Sequence, residues 1–156
     1  MFEIVVGSDF FFGSSKDTFT CTLYCHTQDG AFPDREWTDF AQTVLSWWSE
    51  AVAGAAHAWD MKFRLLFEDG PFWIDAEKRD DEVTLHFNTD KRAVQTIPAI
   101  RIPFRTLAEA VEKALRTLSS SLYLHHNPRT LPTPRRTSHL PAQTHPVALT
   151  LAFQED

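Results

Sequence analysis

The sequence predicts an α+β fold, in which a mostly antiparallel sheet carries two helices packed on one face. Two observations predict this class. Apolar residues alternate with polar ones over several short segments, and two longer segments have the spacing of an amphipathic helix instead. The predicted order of elements is β-β-α-β-β-β-(β)-α-linker-β. A chain of 156 residues is long enough for one domain with its own hydrophobic core.

The N-terminal part of the chain predicts a hairpin followed by a helix. The segments MFEIVV and TFTCTLYC alternate, and the turn-rich segment GSSKD lies between them. A helix follows, for which Asp34 or Thr38 could serve as the N-cap. On a helical wheel, Trp48 lies near the centre of an apolar arc that extends to Trp59, and Trp47 lies at its edge. We therefore expect Trp48 in the core and Trp47 at the margin of the sheet.

Cys21 and Cys25 lie in the second predicted strand, on one face and about 13 Å apart at the usual rise of a strand. That separation is too large for a disulfide bond between them. Buried, reduced thiols are the simpler interpretation. A metal site that also uses His26 is the alternative, but His26 belongs to the opposite face of the strand.

The segment MKFRLLFEDGPFWIDAEKRDDEVTLHFN predicts a three-stranded meander with one apolar face. Its DG dipeptide predicts a two-residue turn, which places Leu66 opposite Trp73 and Arg64 opposite Asp75 on the outer face. The same register also places Lys62 opposite Glu77. Two cross-strand pairs of opposite charge support it.

The next turn is predicted to be a four-residue loop, KRDD. It places Trp73 opposite His86, and Glu77 opposite Glu82. The second of these pairs joins two like charges and is unfavourable. The outer face would then carry Leu66, Trp73 and His86 in one row across three strands.

The segment TIPAIRIPF predicts a short edge strand, because Pro98 and Pro103 cannot donate to a ladder. A second helix follows at RTLAEAVEKALRTLSSSLYL, where Thr106 and Glu109 have the spacing of a capping box. The predicted buried stripe consists of Leu107, Ala110, Val111, Ala114, Leu115, Leu118 and Leu122.

Three regions are predicted along the chain. Residues 1–124 form one α+β domain, and residues 125–146, with five of the nine prolines and no acid, form a linker or a surface-hugging segment. Residues 147–156 contain a strand that returns to a sheet edge, because an isolated apolar strand is unstable in water. The strand either docks on its own domain or is exchanged with a second copy, which would give a homodimer.

Charge is distributed unevenly. The first 90 residues hold 17 acids and 6 bases, a net charge of −11, whereas the rest of the chain carries +5. This distribution argues against nucleic acid as the main ligand and fits a basic partner better. There is no leader-like start and no apolar run near the roughly 20 residues of a membrane span, so we expect a cytoplasmic protein that does not bind membranes.

The sequence contains no nucleophile elbow, phosphate-binding loop, dinucleotide-binding glycine motif or zinc-binding helix motif. We therefore expect a protein that is not an enzyme and needs no cofactor. The adjacent His125 and His126 could bind a metal, but such pairs at helix ends are usually only solvated.

The row of Leu66, Trp73 and His86 is unusual on the outer face of a sheet. Either the proline-rich segment or the final strand covers it, or it anchors a protein partner, with nearby acids as a polar rim. The predicted partner-binding residues are Leu66, Trp73, Asp75, Glu77, Asp80, Asp81 and His86.

The segments FPDREWTDF, LSWWSEA and LLFEDGPFWI resemble small bacterial proteins of the toxin-immunity type, which are encoded beside polymorphic or contact-dependent toxins. Residues 32–75 carry this resemblance. It implies a non-enzymatic inhibitor that binds a cognate toxin domain in the cytosol, and the acidic first part of the chain would suit a basic toxin such as a nuclease. The alternative is a small-ligand-binding or oligomeric structural domain, with a pocket lined by Trp47, Phe40 and Tyr24.

Overall fold

A computed structural model describes residues 1–15, 17–92 and 96–127. The fold is α+β, as predicted, but the described strands form two antiparallel sheets rather than one. The predicted final strand and most of the predicted linker lie outside the described residues. The elements are β1 (Phe2–Val6), β2 (Phe11–Phe12), β3 (Phe19–Thr27), β4 (Gly30–Phe32), β5 (Thr38–Asp39), α1 (Ala41–Ala56), β6 (Asp60–Leu66), β7 (Phe72–Arg79), β8 (Glu82–Thr89), β9 (Ile100–Pro103) and α2 (Phe104–His126).

The first sheet is organised around β3, the longest strand. β1, β2, β4 and β5 all pair with it in antiparallel orientation. The predicted pairing of the first two segments is therefore confirmed, although β2 lies between them in the chain and they do not form a simple hairpin. Every second residue of β3 is buried, which places Cys21, Leu23 and Cys25 in the core and leaves Tyr24 on the other face.

The second sheet has the strand order β6-β7-β8-β9. Its inner face carries Leu65, Ile74 and Leu85, which are fully buried against the helices. β9 pairs only with β8 among the described strands, so it is an edge strand, as the prolines predicted.

α1 begins without a side-chain cap, so the predicted caps Asp34 and Thr38 are wrong. The residue before the helix is Phe40, and its backbone N–H donates instead to Asp39 Oδ1 at 2.7 Å. α1 also ends at Ala56, and Trp59 is 76% exposed rather than part of the helix face.

The predicted burial of Trp48 is confirmed. Its side chain is fully buried, its ring packs edge-on against that of Phe67, and its Nε1 donates to the backbone carbonyl of Leu66 at 2.7 Å. Trp47 is 40% exposed, which agrees with its predicted place at the margin.

α2 begins at Phe104, ahead of the predicted capping box, and Thr106 and Glu109 do not cap it. The Phe104 N–H donates to the carbonyl of Asp81 at 2.7 Å. The turn between β7 and β8 therefore provides an acceptor for the first N–H group of the helix. The helix continues through His126, into the segment predicted to be a linker. Neither α1 nor α2 is a candidate for crossing a lipid bilayer. The fully or nearly fully buried residues of the predicted stripe are Leu107, Val111, Ala114 and Leu118.

Candidate functional site

The candidate site is the outer face of the second sheet, which points away from α1 and α2. Its side chains are exposed or half-buried, whereas most of the alternating side chains on the inner face are buried. We call this surface the outer face. It consists of Asp60, Lys62, Arg64, Leu66, Trp73, Asp75, Glu77, Arg79, Glu82, Thr84, His86, Asn88, Arg101 and Pro103.

The predicted register of the first hairpin is confirmed. Leu66 lies opposite Trp73, and Arg64 lies opposite Asp75. Arg64 Nε donates to Asp75 Oδ1 at 2.7 Å. Lys62 lies opposite Glu77, and its Nζ donates to Glu77 Oε1 at 2.8 Å. Charge pairing across strands therefore identified the correct alignment.

The predicted register of the second hairpin is wrong. β7 continues to Arg79, which lies opposite Glu82, so the turn contains only Asp80 and Asp81. Asp80 adopts a φ of 51°, in the left-handed region that short hairpin turns need. As a result His86 lies opposite Asp75 rather than Trp73, and the unfavourable Glu77–Glu82 pair does not form.

Lys78 explains why β7 is longer than predicted. It lies on the inner face and is only 6% exposed. Its Nζ donates to the carbonyl of Ala58, just beyond α1, and lies 5.1 Å from the centre of the Phe104 ring. A backbone carbonyl and an aromatic face therefore satisfy the buried ammonium group, and the strand does not have to turn at this residue.

The corrected row on the outer face is Leu66, Trp73 and Asn88. Trp73 Nε1 donates to Asp75 Oδ2 at 3.0 Å, and Asn88 Nδ2 donates to the same oxygen at 3.1 Å. The guanidinium of Arg64 lies 5.2 Å from the centre of the Trp73 ring. Asp75 therefore holds the indole in place from one side and Arg64 covers part of its face, while Leu66 beside it is 46% exposed.

Two carboxylates of the outer face are stabilised in their charged form. Partial burial favours the neutral form of Asp75, but hydrogen bonds from Arg64 and Trp73 outweigh it and hold the pKa of Asp75 below its ordinary value. The hydrogen bond from Lys62 lowers the pKa of Glu77 in the same way. Both groups are therefore ionised at neutral pH, and each is paired with a cation.

The outer face is not itself acidic. Glu82 is paired with Arg101 at 2.5 Å, and the face carries four lysine or arginine residues against four carboxylates. Asp80 and Asp81 are exposed, but they lie at the far end of β7, about 23 Å along the strand from Trp73 at the usual rise per residue. The structure therefore brings together Leu66, Trp73, Asp75, Glu77 and His86, and places Asp80 and Asp81 at a separate turn.

Arg64 and Asn88 contact Trp73 or Asp75 at the centre of the site, but the sequence did not assign either of them to it. Arg64 appeared there only as the partner of Asp75 in setting the register. Asn88 could have been found from the alternation in β8, but only with the correct length of the second turn. A depression on the same face, lined by Glu77, Thr84, His86 and Arg101 among others, is partly open to solvent.

The residues of the alternative ligand pocket are not brought together. Tyr24 lies on the face of β3 that points away from the core, whereas Phe40 and Trp47 belong to the start and the exposed side of α1. The described part of the chain contains no group of three or more histidines, cysteines or acids able to hold a metal ion. Burial, together with the charge of Asp39, raises the pKa of Cys21 to about 11, and burial raises the pKa of Cys25 further, so both thiols are protonated at neutral pH.

No protein-family model matches the chain, and comparisons with curated proteins and with solved structures found no significant match.

Proposed function

We propose that this chain is a non-enzymatic protein-binding module and, more specifically, an immunity-type inhibitor of a cognate toxin domain. One observation carries the proposal. A tryptophan, Trp73, lies half-buried on an open sheet face beside the exposed Leu66, and its indole is already fixed by Asp75.

Trp73 has the properties of a binding anchor. Tryptophan is among the residues that contribute most to protein interfaces, because a large ring can be buried while its N–H keeps a hydrogen bond. Here Asp75 already accepts that hydrogen bond, so the ring loses little conformational freedom when a partner covers it.

The charged residues around the anchor suit the rim of an interface. Lys62 with Glu77 and Arg64 with Asp75 are ion pairs that remain largely solvated in the free protein. Pairs of this kind contribute little affinity, but they exclude water from the centre of an interface and fix its orientation.

The toxin class of the partner rests on the resemblance over residues 32–75 and on the charge of the first 90 residues. An acidic body speeds association with a basic protein such as a nuclease. Because three of the four carboxylates of the outer face are paired with cations, this attraction comes mainly from other acids, including the exposed Asp80 and Asp81.

The test uses the full chain as bait in its native host, and then the purified partner that it captures. We expect Trp73→Ala to weaken binding of that partner by roughly 30-fold or more, as at an interface hot spot. Trp47→Ala is the matched control, because Trp47 is also partly exposed but lies on α1. Equal binding by the Trp73→Ala variant and the wild type would exclude the outer face as the interface.

Growth assays separate the toxin hypothesis from binding in general. If the captured protein stops growth when it is expressed alone, co-expression of the wild-type chain restores growth and co-expression of the Trp73→Ala variant does not. A partner that binds through Trp73 but has no effect on growth would support the binding module and reject the immunity role.

A further inference from the structure

β6 has an open backbone edge. The Phe67 N–H donates to the carbonyl of Phe72, which makes these two residues a hydrogen-bonded pair of the first hairpin. Such pairs alternate along an antiparallel ladder, so the backbone groups of Lys62, Arg64 and Leu66 point away from β7. The bond from Trp48 Nε1 to the Leu66 carbonyl agrees with this direction.

Only one end of this edge is occupied. Trp48 caps it at Leu66, whereas no backbone group among the described residues bonds to the outward N–H and C=O groups of Lys62 and Arg64. We call the stretch from Lys62 to Arg64 the open edge. These unpaired N–H and C=O groups can hydrogen-bond to a further strand that pairs with the open edge.

Apolar side chains next to the open edge are also left uncovered. Met61 is 37% exposed and Phe63 is half-buried, although Leu65, further along the same face of β6, is fully buried. Trp59, immediately before the strand, is 76% exposed. Unpaired backbone and uncovered apolar surface therefore occur at the same place, as expected where a strand is missing.

We propose that residues 147–153 of the same chain pair with the open edge as a fifth strand of the second sheet. In this segment Val147, Leu149, Leu151 and Phe153 alternate with Ala148, Thr150 and Ala152. The apolar set covers Met61 and Phe63. The small set lies on the outer face beside the long side chains of Lys62 and Arg64, which need that space.

The length of the intervening chain permits this docking. Twenty residues separate the end of α2 at His126 from Val147, and they span up to about 65 Å when extended. A compact domain of this size has a radius of gyration of only about 14 Å. The segment can therefore reach any edge of its own domain.

A second copy of β6 is a poorer occupant of the open edge. Antiparallel pairing of two β6 strands would bring Lys62 and Arg64 of one chain against the same residues of the other. Like charges directly opposite each other destabilise a ladder. The segment 147–153 carries no charge, and it is followed by Glu155 and Asp156, so it meets the basic edge without repulsion.

Hydrogen exchange of the full chain, measured residue by residue by NMR, tests the proposal. With the strand docked, the amides of Lys62 and Arg64 exchange slowly, by roughly a hundredfold or more relative to an unprotected amide. We expect the double variant Leu149→Asp, Leu151→Asp to abolish this protection. Thr150→Asp is the matched control, because it places the same charge on the other face of the segment, beside Lys62 and Arg64, and it keeps the protection.

The amides of Leu65 and Ile74 report whether the domain remains folded in each variant. If the double aspartate variant unfolds the domain, the milder double variant Leu149→Ala, Leu151→Ala replaces it in the experiment. We then expect the amides of Lys62 and Arg64 to lose part of their protection. Rapid exchange at Lys62 and Arg64 in the wild type would overturn the proposal. Protection that survives both double variants, or that depends on a dimer in sedimentation, would overturn it as well, because another segment or a second chain would then occupy the edge.

Discussion

At the scale of single residues, Asp39 connects the two sheets. Its side chain is fully buried and accepts hydrogen bonds from Trp37 Nε1 at 3.2 Å, from the Phe40 N–H at 2.7 Å and from the Asp69 N–H at 3.2 Å. The carboxylate therefore ties the start of α1 to the turn between β6 and β7. Three donors would lose their acceptor if it were removed.

We expect Asp39→Ala to lower the free energy of unfolding by about 2–4 kcal/mol, because it leaves buried N–H groups unpaired. Asp39→Asn keeps one side-chain oxygen and should cost less. Urea denaturation of both variants measures the difference. Equal stability of Asp39→Ala and wild type would mean that water replaces the carboxylate at no cost.

The difference in stability between the wild type and Asp39→Asn should depend on pH. Burial raises the pKa of Asp39 above its ordinary value of 3.8, despite its hydrogen bonds, so the folded state holds the proton more tightly than the unfolded state does. Stability from this group is therefore largest below pH 3.8 and is lost as the pH rises through the raised pKa. Relative to Asp39→Asn, the wild type should lose stability over that window, and a constant difference would contradict the assignment.

Trp48 and Trp47 are neighbours with opposite environments. Trp48→Ala should cost about 3–5 kcal/mol, because it leaves a cavity against Phe67 and removes the bond to the Leu66 carbonyl. Trp47→Ala should change stability by less than about 1 kcal/mol, because the side chain is partly solvated. Urea midpoints measure both, and similar losses for the two variants would mean that the buried face of α1 is misassigned.

The sequence could predict the burial of Trp48, because the spacing of apolar residues along one helix is local information. It could not predict the roles of Asp39 and Lys78. Each of these is buried only because a remote group completes its hydrogen bonds, the Asp69 N–H for Asp39 and the Ala58 carbonyl for Lys78. Without knowledge of that remote group, a polar residue near the end of a strand indicates a solvated turn.

At the scale of elements, the two hairpins of the second sheet show what determines a register. The first turn contains Gly70, whose φ of 81° few other residues adopt. The glycine therefore marked the position of this turn in the sequence. The second turn has no glycine, and Asp80 takes the left-handed conformation instead. Without that signal, the sequence did not show whether the turn has two residues or four, and the partner of Trp73 was misassigned.

Substitutions in the second turn test its geometry. Asp80→Val should destabilise the protein by roughly 1–2 kcal/mol, because a β-branched side chain is strained at positive φ, whereas Asp80→Gly should be tolerated. Asp81→Val is the control at the neighbouring exposed position, which lacks positive φ. Thermal or urea unfolding compares the three variants. Equal losses for the two valine variants would indicate the longer loop.

At the scale of the whole molecule, the two sheets share one core. Phe32 of β4 packs against Phe67, Phe72 and Phe87 of the second sheet region, with ring centres 5.8, 5.8 and 5.2 Å apart. The sequence could predict the fold class, since alternation identifies strands. It could not divide them into two sheets, because alternation does not say that four short strands all pair with β3.

The shared core predicts that both sheets unfold together. Because Phe32 is only 2% exposed and joins the sheets, Phe32→Ala should lower stability by about 3–5 kcal/mol. It should shift the transitions followed by far-UV circular dichroism and by tryptophan fluorescence equally, as two-state unfolding requires. Phe11→Ala, at a 63% exposed phenylalanine, should leave both nearly unchanged. Two separate transitions, or a shift in only one, would show that the sheet bearing Trp73 is held independently of β3. In that case the rigidity of the outer face would depend on its own hairpins alone.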